Sequence, residues 1–546
     1  MAREQARTQE GGPMRSDESA PRTLSAVKPW LRVHTRPDVA ENSGVLTLVE
    51  QIVTPHEAMI EDLLFVRRVL GRANVHYLLI RGEEQRPVLA IDETDFEVAQ
   101  QALVEAAADE PFYAETFRPR DMTTKGEAVL IAEGALSSSR RPRILRLYRP
   151  RLAAGGSYEF GRNSGVQLEI WTRRGSEVLV PVENALTRRS LPISELVEAT
   201  VERYGETWPT IRHMFDELAS DVTFDIDIIF SWVDGTDKEF QRARAKRMES
   251  YVVGEGDDSE ARYRQIDELR YALRSVYMYA PWIRNIYIAT DSPRPAWLDE
   301  HPRVRIVRSE EFFEDPSVLP THNSQAVESQ LHRIPGLSEY YLYSNDDMFF
   351  GRPVGPEMFF SPGGLTKFIE ATTRIGLGEN NAQRSGFENA ARVNRRLLHE
   401  RFGRVTTRHL EHTAAPMRKS VVEELEREFP EDFRATAASP FRAAENISVT
   451  NSLYHYYALL TGRAVQKIGA RVLYVDTTMK SGLAQLKRLL KRRDYDFFCL
   501  NDGSFPEVSP EERARKMRSF LDRYFAIPAP WERPVSAQVP VEKSAS

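Results

Sequence analysis

EYYLYSNDDMFFGRP, Glu339 to Pro353, sets two adjacent carboxylates between an aromatic run and a second apolar run. Tyr340 to Tyr343 reads as a buried strand, because a short apolar run bounded by polar turn residues is how a strand inside a sheet presents itself. Ser344, Asn345, Asp346 and Asp347 then fall at its C-terminal edge. In open α/β sheets that edge is where ligands bind, and paired acids there can hold a hard cation against a diphosphate. The plainer alternative is a turn, since Asn and Asp both bend chains readily.

Working outward, the same device recurs upstream. FDIDIIFSWV, Phe224 to Val233, is a hydrophobic strand with Asp225 and Asp227 interleaved, and it runs into Asp234, Gly235, Thr236 and Asp237. Glycine permits close backbone approach while Thr and Asp suit ribose hydroxyls or phosphates, so the turn fits a nucleotide. Lys238 to Tyr251 reads as a basic helix, and GEGDDSEA (254–261) as a lid loop. Arg264 to Tyr279 carries Ile266, Leu269, Leu273 and Val276 on one helical face, with Asp267, Arg270 and Arg274 spaced to pair along another. Asn285 to Ala289 forms a strand ending at Thr290 and Asp291, and Val304 to Val307 forms a third. Asn323 to Leu331 opens on good N-caps and runs as a helix whose Gln325, Glu328 and His332 share one face, either a solvated surface or the wall of a cleft. Strand, acid-bearing turn and helix recurring from 221 to 350 make a doubly wound, nucleotide-sugar-transferase-like (GT-A-like) α/β architecture.

Past Gly351 the chain turns polar. TRIGLGENNAQRSGFENAARVNRRLL reads as a long irregular stretch, and Arg374, Asn380, Asn381 and Arg384 are candidates for an acceptor or a phosphate. His412 precedes Pro416 and a helix beginning near Arg418, and suits a base or an anion ligand. Arg442 follows a Ser-Pro turn, and its fork suits phosphate oxygens. Each of these, taken singly, is better explained as structural than as chemical. Ile447 to Leu460 reads as an aromatic-rich core helix, Val472 to Val475 as a strand, and Phe497 to Leu500 as a strand leading to Asn501 and Asp502.

Composition bounds the rest. The 546 residues, 41% hydrophobic, suffice for two or three domains. With 74 basic against 80 acidic residues the net charge is -6, so no overall field favours nucleic acid or an anionic membrane. One cysteine, Cys499, excludes an internal disulfide and fits a reducing compartment as a small buried hydrophobe. The N-terminus has no apolar core of a signal peptide, and no run is long enough for a membrane span. The expectation is a cytoplasmic protein, or one peripheral to the inner face of a membrane. Residues 1–45 read as a disordered arm, and 46–220 as an N-terminal α/β or α+β domain without a catalytic motif, its helix at 55–70 and strands at 76–80, 87–91, 144–148, 166–171 and 178–182. His56 and His76 there read as structural. The catalytic domain spans 221–505, a C-terminal helical extension 506–527, and a disordered tail 528–546.

Four blocks in this order resemble the conserved regions of the Stealth family of sugar-phosphate transferases: DIDIIFSWVDGTD, RQIDELRYALRSVYMYAPWIRNIYIATD, LPTHNSQAVESQLHRIPGLSEYYLYSNDDMFFGRPV, and ISVTNSLYHYYALLTGRAV with the CLND that follows. The match looks closest to bacterial exopolysaccharide phosphotransferases, with the animal GlcNAc-1-phosphotransferase a distant relative whose membrane spans and extra modules have no counterpart here. The resemblance implies transfer of a sugar-1-phosphate from a UDP-sugar to a hydroxyl of an acceptor polysaccharide, leaving a phosphodiester and UMP, with Mg²⁺ or Mn²⁺ assisting. It places Glu328 and Asp347 on acidic active-site positions, and His412 and Arg442 on the histidine and arginine that complete the site. Trp232, Asp234, Gly235, Thr236 and Asp237 resemble the nucleotide-sugar-binding segment, with Asp291 beside it. Asp234 and Asp291 stand where the animal relative carries Asn, so neither is implied as an essential carboxylate. On this reading Asp346 and Asp347 hold the metal on the diphosphate, Arg442 binds the phosphoryl group, and His412 or Glu328 takes the acceptor proton. Two rival readings remain: a metal-dependent glycosyltransferase that uses the same strand-end acids and releases UDP, and a non-catalytic glycan-binding or scaffold protein with the aromatic residues around Tyr454 and the N-terminal domain as its binding surface.

Overall fold

The protein is described by a computed structural model that defines residues 30–82, 86–118, 128–134, 142–235, 241–242, 266–503 and 506–533. The helix expected at 238–251 and the loop at 254–261 lie almost wholly outside these residues.

Four apolar runs form the centre of the catalytic half. β1 (Ile226–Ser231), β2 (Ile286–Ala289), β3 (Val304–Val307) and β4 (Tyr340–Asn345) are parallel, in the spatial order β3-β2-β1-β4. Directly after β4 a short strand, β5 (Met348–Phe350), leaves this sheet, and β6 (Ala415–Arg418) returns to pair antiparallel with β4. The order reverses between β1 and β4, which opens a crevice outside their C-terminal ends. Register puts Ser231 opposite Asn345, so the polar turn after β1 and the acidic turn after β4 are neighbours.

Burial on both faces explains why β1 and β4 read as continuous apolar runs rather than alternating ones. Ile228, Phe230 and Leu342 pack with Leu269, Leu273 and Val276 of helix α1 (Glu268–Tyr279). Ile229, Tyr341 and Tyr343 face the other way, into Val393 and Leu397 of a helix over Gly386–Phe402 and the aromatic residues Tyr454, Tyr456 and Tyr457. This is the expected doubly wound α/β arrangement. The interleaved Asp227 is fully buried, and its carboxylate accepts from Arg284 Nε at 2.9 Å and Nη2 at 2.7 Å and from the backbone N–H groups of Asn285 and Ser338. A second sheet, β5 with β7 (Val472–Asp476) and β8 (Phe497–Asn501) in the order β5-β8-β7, extends the architecture beyond β4.

The N-terminal unit is α+β, a mostly antiparallel eight-stranded sheet covered by helices Pro55–Arg72 and Phe96–Ala106. It is not detached: Ala58, Ala153, Tyr158 and Phe160 belong to the same apolar cluster as β1 and α1, and Tyr277 donates to Glu57 at 2.8 Å.

Several expectations need correction. The arm expected to be disordered through 45 is structured from Trp30, with strands Val39–Asn42 and Val45–Gln51 pairing as a hairpin. The tail expected to begin at 528 starts inside the core, where Trp531 is fully buried and Glu532 pairs with Arg270 and Arg274. Those two arginines therefore do not pair with Asp267, whose backbone is left-handed (φ 62°) ahead of α1. The helix at 510–524 is no appendage, since Phe520, Leu521 and Tyr524 pack among Phe349, Phe498 and Phe525. Finally, the second half of the polar stretch after Arg374 is not irregular but the 17-residue helix Gly386–Phe402, capped by Ser385.

Candidate active site

The acidic turn is anchored from three sides. Helix α2 (Ser324–Glu328), five residues long, begins at Asn323, whose side-chain oxygen accepts from Gln325 N–H at 3.1 Å. The Asn323 amide donates to the carbonyls of Ser439 and Phe441, both at 3.2 Å, and to Asn446 Oδ1 at 2.9 Å. Asn446 Oδ1 also accepts from Ala443 N–H, so two buried asparagines fasten the loop carrying Arg442 to the start of α2. Arg442 Nη2 then donates to Ser324 Oγ at 2.8 Å. Gly386 is required here, since a β-carbon would come within 2.7 Å of the Arg442 side chain.

Glu328, at the far end of α2, is half-buried. Thr450 Oγ1 donates to its Oε2 at 2.5 Å and Tyr343 Oη lies 3.3 Å from its Oε1. Tyr343 Oη is also 2.8 Å from Asn345 Oδ1, so one phenol joins Glu328 to the end of β4. Burial raises the Glu328 pKa, against the opposing pull of Thr450 and of the Arg442 charge.

Two residues on, Asp347 accepts from Cys499 Sγ at 3.4 Å, and its carbonyl takes the N–H of Leu500 at 3.0 Å. Cys499 is the small buried residue expected, and burial and the neighbouring Asp347 push its thiol pKa well up. His412 stands close enough to Asp347 to feel its charge, and packs edge-on against Tyr474 (5.5 Å between ring centres) and tilted against Phe387 (6.1 Å). Burial lowers the imidazole pKa while Asp347 pulls it back up. Asp346 is held well above the carboxylate range by burial, then by Asp347, Glu268 and Asp502. Glu268, at the start of α1, is itself pushed up to about 7 by burial.

The structure therefore brings the four expected residues to one strand end as two pairs, Glu328 with Arg442 and Asp347 with His412. The nucleotide candidates are less uniform. Trp232 is buried in the core cluster rather than presented in a turn, with its Nε1 lacking a hydrogen-bond partner among the described residues. Asp234 N–H donates to Ser292 Oγ at 2.8 Å, and the Gly235 carbonyl accepts from Gln241 at 2.7 Å. Thr236 and Asp237 lie outside the described residues. Asp291 caps a short helix by accepting from Ser309 N–H at 2.8 Å, a structural duty that accounts for its carboxylate. Asn380 and Asn381 are also structural: Asn380 donates to the Ala444 carbonyl and Glu445, and Asn381 is bound to Asn389. Sequence reasoning missed Thr450, Tyr343, Ser324 and Glu268. Only Glu268 carried a signal, as an acid inside a quoted block.

Comparison with known proteins agrees in order and position. Stealth protein CR1, conserved region 1, matches residues 224–252; conserved region 2 matches 262–368, region 3 matches 411–459 and region 4 matches 487–539. The chain is 60% identical over 497 residues to the exopolysaccharide phosphotransferase CpsY of Mycobacterium leprae, covering 91% of each. This chain belongs to the Stealth family. It is 54% identical to an exopolysaccharide phosphotransferase of Nocardia farcinica, over 87% of this chain and 88% of that one. With these relatives it is a transferase. Region 4 includes the segment that carries Trp531 and Glu532, which fits their place in the core. A galactosyltransferase LgtC, solved with donor and acceptor sugar analogs, aligns over 56% of this chain and 96% of its own at 11% identity and a TM-score of 0.28, too loose a likeness to argue from. Among the described residues no helix is long and apolar enough to cross a membrane.

Proposed function

We propose that this Stealth enzyme transfers a sugar-1-phosphate from a UDP-sugar to a hydroxyl of an acceptor polysaccharide, releasing UMP. The observation that carries the reading is the meeting of Glu328–Arg442 and Asp347–His412 at the strand end where the sheet order reverses. The acceptor oxygen attacks the β-phosphorus, the bond from that phosphorus to the bridging oxygen breaks, and the bridging oxygen leaves with UMP. Catalysis then needs a base at the attacking hydroxyl and positive charge around the phosphoryl oxygens.

His412 is the better base. Both oxygens of Glu328 are engaged by hydroxyls of Thr450 and Tyr343, whereas burial keeps the His412 imidazole neutral and able to take a proton. Asp347 orients it and stabilises the imidazolium formed. Glu328 positions Arg442, whose guanidinium binds the transferring phosphoryl group. Mg²⁺ or Mn²⁺ fits beside Asp346 and Asp347, because these carboxylates crowd one another and Glu268 and Asp502. Among the described residues no group of three or more His, Cys, Asp or Glu side chains forms a ready-made metal cage, so the cation would complete its shell with water and donor oxygens, as Mg²⁺ commonly does. When bound, it would neutralise charge on the diphosphate. The reaction belongs in the cytoplasm, at the inner face of the membrane, in keeping with a single thiol.

Incubation with a panel of UDP-sugars, Mg²⁺ or Mn²⁺ and cell-wall glycan extract tests this by the nucleotide released. UMP with a new phosphodiester supports it; UDP would make the protein an ordinary glycosyltransferase instead.

A further inference from the structure

Three guanidinium groups converge on the turn Gly376-Leu377-Gly378. Arg395 Nη2 donates to the Gly376 carbonyl at 3.2 Å, a β-carbon at Gly376 would collide with Nη2 of Arg392, and one at Gly378 would sit 3.6 Å from Nη2 of Arg384. Arg374, on the strand that leads into this turn, donates to the hydroxyl of Thr407 at 3.0 Å. The hydrogen bonds these side chains make go to neutral acceptors, and Arg392 Nη1 is satisfied by the Glu388 carbonyl at 2.7 Å. Nε of Arg384 and Nε of Arg392 are buried with no hydrogen-bond partner among the described residues.

Arg392 is only 5% exposed. An arginine whose side chain is so largely covered and whose guanidinium is crowded by two others is favoured by an anion that compensates the charge. Burial and the charges of Arg384 and Arg395 lower its pKa, with the Glu388 carboxylate the opposing influence. The cluster is continuous with the catalytic edge. Arg392 acts electrostatically on His409, which stacks on Phe387 at 4.5 Å and feels His412 in turn.

We propose that Arg384, Arg392 and Arg395, with Arg374 at the rim, form a subsite for a phosphodiester already present in the acceptor, so that the enzyme prefers to extend a chain bearing the linkage it makes. This rests on the proposed sugar-phosphate transfer: each addition leaves one negative charge along the polymer, and a forked donor cluster a short way from the base suits it. Leu377, 90% exposed between the two glycines, would lie against the sugar between phosphates.

The test is calorimetric titration of the full-length protein, without donor, against poly(glycerol phosphate), against neutral dextran of matched length, and against vesicles of equimolar phosphatidylglycerol and phosphatidylcholine. Wild type should bind the phosphodiester polymer and not dextran, with an affinity that falls as salt rises. Arg395→Glu and Arg384→Ala, both at positions outside the deep core, should each weaken it about tenfold or more, and Arg395→Lys should recover part of the loss, while melting temperatures stay at the wild-type value. Equal binding of dextran, unchanged affinity in both variants, or a loss confined to the vesicles would overturn the subsite. Turnover reports separately: polymer binding without UMP release would sink the proposed reaction and leave the subsite standing, and UMP release with unchanged polymer binding in the variants would do the reverse.

Discussion

The N-terminal unit and the catalytic edge both bury charge, and they treat it in opposite ways. Asp62 and Arg151 of the N-terminal unit are almost wholly inaccessible, yet every carboxylate oxygen is used: Oδ1 accepts from Arg149 Nε at 2.8 Å and Arg151 Nη2 at 2.9 Å, Oδ2 from Arg149 N–H at 3.0 Å and Arg151 Nη1 at 3.1 Å. At the catalytic edge Asp346, Asp347, Glu268 and Asp502 press on one another, and the Asp346 proton is held far above its usual range. Arg513, which pairs with Asp502 and is held by Thr477 at 2.7 Å, relieves only one corner. One region uses its ions to hold the helix Pro55–Arg72 against the stretch 149–151. The other keeps them in excess, which is the condition that the proposed cation would relieve.

The comparison can be broken at its strongest points first. His412→Gln should lower kcat by about 10² to 10⁴ with an unchanged melting temperature, the signature of a lost acid-base group; a steady-state assay of UMP release beside a melting curve decides it. Asp62→Ala should do the converse, destabilising the protein by about 3 to 5 kcal/mol by removing the buried carboxylate shared by Arg149 and Arg151, which would keep Glu110 and Glu61 respectively, while the folded fraction keeps its turnover. Urea unfolding with activity corrected for folded protein reads both, and a catalytic defect without a stability loss would erase the contrast. Thr450→Val removes a hydrogen bond to a charged group, worth about 1.5 to 3 kcal/mol, so turnover should fall roughly tenfold or more with little effect on donor affinity.

The smallest effect sharpens the comparison through pH. The Glu268 pKa is raised to about 7 in the folded protein against 4.5 for the free side chain, so the folded state binds more protons between these values. Stability should therefore decline as pH rises from 4.5 to 7, and Glu268→Gln should flatten that slope in melting temperature. An unaltered slope in the variant would show that Glu268 is not the group under pressure.

How much of this was legible depends on the range over which each interaction acts. β1, β2 and β4 were readable because a strand buried on both faces is apolar nearly throughout, and the ligand end of the sheet followed from the acids at the strand termini. The candidate site residues were visible as types, and their pairing was not. Ser324 and Arg442 meet through asparagines at 323 and 446, and no local pattern announces a contact so distant in sequence. The helix Gly386–Phe402 was hidden for a related reason: Asn389, Arg392 and Asn394 occupy buried positions where an apolar stripe is expected, Asn394 because it bonds the Ser448 carbonyl and Ser452 Oγ. Arg270 and Arg274 show the hazard of helical spacing, since proximity along α1 suggested Asp267 while the actual partner arrives from the far end of the chain. Composition misjudged that far end as well, because one tryptophan among prolines and serines is enough to anchor a segment that averages as polar.

That last contact orders events during synthesis. Arg270 and Arg274 emerge from the ribosome 258 to 262 residues before Glu532, so helix α1 is made well ahead of the carboxylate that pairs with its two cations. The Asp62 network of the N-terminal unit closes over only 87 to 89 residues of chain, so its ion pairs can form earlier. Helix α1, by contrast, gains its ion partner only once the segment around Trp531 has been made.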